Sequence, residues 1–194
     1  MYSLPTILSI NGRDYTIREK GDFRMVLDCF IALEDQDLTK EERIYSALII
    51  FLEELETPED VLRLPDLESV YKGMIRFFNC GQDNDIGADT GHKVIDWQKD
   101  SNLICSAVNK VAGTEIRALD YLHWWTFMGY YTAVGQSALS TVVSIRHKIA
   151  HNKKLQDYEK EFKKENPQYF NIDMRTTEMK ETDEYYRNLF HSKE

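Results

Sequence analysis

Apolar residues recur at three- and four-residue intervals along most of this chain, the period of an α-helix with one buried face. Phe23, Val26, Leu27 and Phe30 mark such a face from Asp22, a candidate N-cap, to about Leu33. Ile44, Leu48, Phe51, Leu52 and Leu55 mark a second, preceded by Thr39 and Glu42 at the spacing of a capping box. Thr57-Pro58 reads as the cap and first-turn proline of a short helix that ends at Pro65. Leu67, Val70, Tyr71, Met74, Ile75 and Phe78 form the next face, between a cap at Asp66 and a stop at Gly81. Leu103, Ile104, Ala107, Val108 and Val111 predict a helix over 97–111 with Gly113 as its stop. Ser137 or Ser140 can cap another that runs through Ile149. Residues 155–165 predict an exposed helix carrying a Glu159–Lys163 pair at i,i+4. The period changes only near the start. There Ile7, Leu8, Ile10, Tyr15 and Ile17 flank Asn11-Gly12, which predicts a β-hairpin over 6–18 closed by a type I′ turn.

The stretch 121–146 organises the rest. Tyr121, Trp124, Trp125, Phe127, Tyr130 and Tyr131 fall within eleven residues, and large rings remove the most surface from water. Leu119, Leu122, Trp125 and Ala133 share one helical stripe and are expected in the core. Trp124, Phe127, Met128 and Tyr131 lie on neighbouring faces and are expected to form a protein-binding surface. The apolar run is interrupted by His123, Thr126 and Gln136 and is too short to span a membrane. The expected fold class is mainly α, with about seven helices around a central aromatic helix and a short N-terminal β-hairpin.

Composition divides the chain. Residues 81–96 are rich in Gly, Asp and Asn and predict a mobile acidic loop. The expectation is one helical domain over 1–170 and a charged tail over 171–194. The net charge of −9 argues against a general nucleic-acid binder, because phosphate contact rewards a basic surface. Cys29, Cys80 and Cys105 lie far apart without metal spacing, and no secretory signal opens the sequence, so a cytoplasmic protein with free thiols is expected.

Chemical motifs are sparse. The chain has no glycine-rich phosphate loop, no HExxH and no CxxC, and no cofactor is expected. Gly135 to Leu139 lacks the second glycine of a nucleophile elbow. One stretch, Ile145 to Asn152, resembles the Arg-polar-x-x-x-His motif of HEPN-type ribonucleases, which are also all-helical. The resemblance implies metal-independent RNA cleavage by Arg146, His147 and His151. An arginine can grip a phosphate with two donors, and a histidine can move a proton near neutral pH. His147 and His151 also have the spacing of a metal pair, but no third ligand stands at suitable spacing.

A wider resemblance covers nearly the whole chain. TEIRALDYLHWWTFMGYY, STVVSIRHKI and KKLQDYEKEFKKEN are similar to the bacteriophage "Gp fifteen" family, as are the opening YSLPTILSINGRDYTIR and the segment DWQKDSNLICSAVNKV. The resemblance implies a protein of the tail modules of long-tailed phages and prophages of Gram-positive bacteria. It implies a tail-assembly chaperone or similar accessory in the host cytoplasm. The expected partner is the tape-measure protein or a neighbouring tail protein, with a homo-oligomer possible. The family brings no catalytic residues.

Overall fold

Asn11 and Gly12 both adopt positive φ, 51° and 79°, the backbone a type I′ turn demands. They join β1 (Ile7–Ile10) to β2 (Arg13–Thr16), paired antiparallel from Ile10↔Arg13 to Ile7↔Thr16. This computed structural model describes residues 3–83, 92–175 and 180. Among them lie eight α-helices: α1 (Phe23–Glu34), α2 (Lys40–Phe51), α3 (Pro58–Leu62), α4 (Leu67–Phe78), α5 (Ser101–Ala112), α6 (Trp124–Thr132), α7 (Ala138–Ala150) and α8 (Asp157–Glu165). The mainly α class with an N-terminal hairpin therefore stands, and none of these helices is long and apolar enough to cross a membrane.

Caps set most of the boundaries. Asp22 accepts the Arg24 N–H at the start of α1, and Asp66 accepts the Ser69 N–H at the start of α4. Thr39 with Glu42 and Thr57 with Asp60 form reciprocal capping boxes on α2 and α3, and Pro58 takes the first turn of α3. The Thr57 hydroxyl and backbone hold the Asp60 carboxyl below its ordinary range. Gly81 closes α4 with φ +83°, its N–H donating to the Arg76 carbonyl.

Two departures follow from local chemistry. α5 starts at Ser101, because Asp96 accepts the N–H groups of Gln98 and Lys99 and so holds 97–100 in turns. Val111, expected inward, is exposed. Half of the acidic stretch 81–96, residues 84–91, falls outside the described residues, as does most of the tail from 176 onward; of the described half, the Lys93 N–H donates to the Met174 carbonyl at 2.7 Å.

Where one domain over 1–170 is expected, the chain divides into two units. One takes in the described residues of Met1–Ile86 and Cys105–Val134; the other takes in those of Gly87–Ile104 and Gly135–Glu194. In the first, the hairpin lies on α4 at Gly73. A Cβ there would meet the Ile10 and Leu8 side chains at 2.8 and 3.0 Å, so only glycine allows this approach without displacing them. Phe78 meets Phe51 and Phe77 edge to face in the same unit, and Phe51 and Phe77 pack tilted, with centroids 5.2 to 6.4 Å apart.

Candidate functional site

The aromatic helix α6 begins later than its sequence suggests. His123, not Leu119, sets its start: the His123 Nδ1 accepts the Trp125 N–H at 3.0 Å, and its Nε2–H donates to the Pro5 carbonyl at 3.0 Å. These two partners require the neutral Nε2–H tautomer. Before it, the buried Asp22 carboxylate accepts the Leu122 N–H at 2.8 Å and pairs with Arg24 at 3.1 Å. The Phe23 N–H donates to the Leu122 carbonyl at 2.9 Å, which ties this corner to the start of α1.

The two adjacent indoles then complete α4. Trp124 Nε1–H donates to the Phe78 carbonyl and Trp125 Nε1–H to the Phe77 carbonyl, each at 2.9 Å. Both carbonyls lie in the last turn, where the helix lacks enough donors of its own. Trp124 is 1% exposed and Phe127 0%. Their rings stack at 5.4 Å; Phe127 also stacks on Phe23 at 4.9 Å, and Phe30 meets Trp124 edge-on at 5.7 Å.

This corrects the division of the rings. Trp124 and Phe127, expected on a partner-facing surface, are core. Trp125 and Leu119, expected in the core, are only partly buried, and Ala133 is exposed. The cause is phase. Leu119 to Leu122 are not helical, so a stripe counted from Leu119 does not carry into a helix that starts after His123. Met128 and Tyr131 are partly exposed, so they are the members of the expected set that a partner can touch.

The buried cap makes the first unit sensitive to acid. Burial lowers the His123 pKa below its ordinary value, partly offset by the Pro5 carbonyl and the Asp22 carboxylate. Its folded pKa is depressed, so the unfolded chain binds the extra proton first as pH falls. The stabilising contribution is complete above about 6.5 and is lost as pH falls toward the lowered folded value. His123→Asn keeps a capping oxygen but cannot titrate. Between pH 7.5 and 5.5 we expect the wild-type melting temperature to fall more than that of His123→Asn.

In the second unit, Arg146 on α7 is 1% exposed and anchors the interior. Its two terminal nitrogens meet the Asp100 carboxylate at 2.5 and 2.8 Å, a bidentate pair that is itself buried. Nη1 also donates to the Val94 carbonyl at 3.1 Å, and Nε and Nη2 donate to the Tyr169 carbonyl at 2.8 and 2.5 Å. A guanidinium has five N–H donors, and these five bonds use them. Nothing is left with which to grip a phosphate, so the arginine of the ribonuclease-like motif serves the fold.

The histidines of that motif sit elsewhere. His147 and His151 lie one turn apart, their rings tilted with centroids at 4.2 Å, and His92 lies 5.4 Å from His151. The His151 Nδ1–H donates to the His147 carbonyl at 2.8 Å. No group of three or more His, Cys, Asp or Glu among the described residues is arranged to hold a metal ion. Glu159 also departs from expectation. It is buried, pairs with Lys148 at 2.6 Å rather than with Lys163, and closes the start of α8 through the Gln156 N–H at 2.8 Å. The Lys148 ammonium and the Gln156 N–H hold its carboxyl below the usual range.

Burial disfavours the thiolate at each of the three cysteines. Cys29 is fully buried with its S–H directed at the Ala47 carbonyl, and burial pushes its thiol up; Cys80 and Cys105 are shifted the same way by the same cause.

No curated protein and no solved structure matches this chain. The model of one family, described as Bacteriophage Gp15 protein, matches residues 1–170. The match takes in the hairpin, the aromatic helix α6, the Arg146 anchor and all eight helices. The chain therefore belongs to the bacteriophage Gp15 protein family.

Proposed function

We propose that this bacteriophage protein serves tail assembly as a non-enzymatic, chaperone-like binder of another tail protein, working in the host cytoplasm. The observation that carries the reading is the family match over 1–170. The chemistry agrees with it: the arginine that first suggests catalysis is committed to structure. Arg146 is saturated by Asp100, Val94 and Tyr169, and burial disfavours the thiolate form of Cys29, Cys80 and Cys105. The net charge of −9 suits an accessory that stays dissolved while it covers apolar stripes on a long helical partner such as a tape-measure protein. Met128 and Tyr131 are the aromatic-helix positions offered to that partner, and a second copy of this chain is the other candidate occupant. Co-purification with the tail-module proteins of the same phage tests the reading.

A further inference from the structure

The two edges of the hairpin differ. Ile10 and Arg13 flank the turn as a hydrogen-bonded pair, Leu8↔Tyr15 is the next such pair, and the Ile17 N–H to Thr6 carbonyl bond at 2.9 Å continues the alternation. The backbone groups of Asp14 and Thr16 therefore face away from β1, and those of Ile7 and Ser9 face away from β2. The β2 edge is occupied at Thr16, whose N–H donates to the Glu54 carboxylate at 2.7 Å and whose carbonyl accepts the Glu53 N–H at 3.0 Å. The β1 edge is open: none of the described residues pairs with the outward N–H and C=O groups of Ile7 and Ser9, and both residues are exposed.

Beside that open edge runs a groove of about 630 Å³. Ser9, Ile10 and Asn11 line it from the hairpin, and Lys72, Gly73 and Arg76 line it from α4. Its helical wall from Ser69 to Asn79 rises about 15 Å, the length of four to five extended residues at about 3.4 Å each. Unpaired main-chain donors and acceptors at strand spacing are matched by another strand. A strand added to β1 turns alternate side chains toward α4, about 6.8 Å apart. Lys72 and Arg76, four residues apart on the helix, rise about 6 Å, a separation of similar size. Their present partners are weakly held. Lys72 pairs with Glu68 at 2.6 Å and Arg76 with Asp83 at 3.1 Å, with all four side chains at least 60% exposed; Arg76 Nε also donates to the Gly81 carbonyl at 3.2 Å, which leaves its terminal nitrogens for exchange at little cost.

We infer that the β1 edge and the Lys72–Arg76 face of α4 form a site for an extended segment of another protein, added as a third strand and carrying carboxylates at alternate positions. This goes beyond the tail-assembly reading and does not depend on it, since the site can be probed with peptides alone. The probes are fluorescent peptides Thr-Glu-Val-Glu-Val and Thr-Lys-Val-Lys-Val with blocked ends, read by polarisation against the full chain. The acidic peptide is expected to bind about tenfold or more tightly than the basic one. Ser9→Pro removes the outward donor at an edge position where proline is tolerated, and should weaken binding about tenfold or more with the melting temperature retained. Lys72→Glu with Arg76→Glu, both exposed, should reverse the preference, and it decides the matter if Ser9→Pro disturbs the fold. Three results overturn the inference: equal or absent binding of the two peptides, affinity unchanged by both sets of substitutions, or a wild-type dimer in sedimentation that Ser9→Pro splits, which gives the edge to a second copy.

Discussion

Arg146→Ala should cost the second unit about 3–5 kcal/mol, the largest loss expected from any single side chain there. The substitution leaves the Asp100 carboxylate 2% exposed with no counter-charge, and it strips donors from the Val94 and Tyr169 carbonyls. Arg146→Lys should rescue little, because an ammonium is a point charge and cannot serve a bidentate carboxylate and two carbonyls at once. Arg146→Met combined with Asp100→Leu should recover part of the loss, since removing both charges ends the desolvation penalty while the two carbonyls and the Asp96 N–H, which Asp100 accepts at 2.9 Å, stay unserved. Urea unfolding followed by circular dichroism measures all three. The same preparations settle the chemistry of the motif: the wild type is expected to leave RNA intact. Metal-free cleavage that disappears in a folded Arg146→Lys variant would return Arg146 to a catalytic role.

Trp124→Ala should destabilise the first unit by about 3–5 kcal/mol, whereas Trp125→Ala should cost about 1–3 kcal/mol. Both lose an indole donor to the last turn of α4. Only Trp124 is also enclosed, between Phe30 and Phe127, where truncation opens a cavity that the stacked rings cannot collapse to fill. Trp125 is already partly in water, its ring against Phe77 and within 3.1 Å of a Cβ built on Gly81. Thermal melts of the two variants give the order directly. Equal losses, or a larger loss at Trp125, would restore the assignment read from the spacing of Leu119 and Leu122.

The elements legible in the sequence are those whose causes are local. Asn11-Gly12, the Thr39–Glu42 box and the Asp66 cap each act within a few residues, so the chain carries their signal in one place. The phase of α6 was harder to read. Whether Trp124 or Trp125 points inward depends on where the helix starts, and that is fixed by His123 bonding to Pro5, a residue 118 positions away. Arg146 was opaque for a related reason. As a letter it is an arginine beside two histidines, and the residues that bury it lie at 94, 100 and 169. Glu159 looks like a surface charge in LQDYEKEFKKE until Lys148 from α7 reaches it. Long-range partners decide burial for polar side chains, and period alone cannot supply them.

The most direct measurement of the proposed function is co-expression of this chain, with a tag, beside each tail-module protein of its phage, followed by affinity capture and gel filtration. The account predicts that one of them, the tape-measure protein or a neighbour, co-elutes in a defined ratio. It also predicts that Met128→Glu with Tyr131→Glu, which places charge on the partly exposed face of α6, weakens the complex while leaving the helical circular dichroism intact. A chain that elutes alone in every pairing, with every partner soluble and folded without it, would contradict the account.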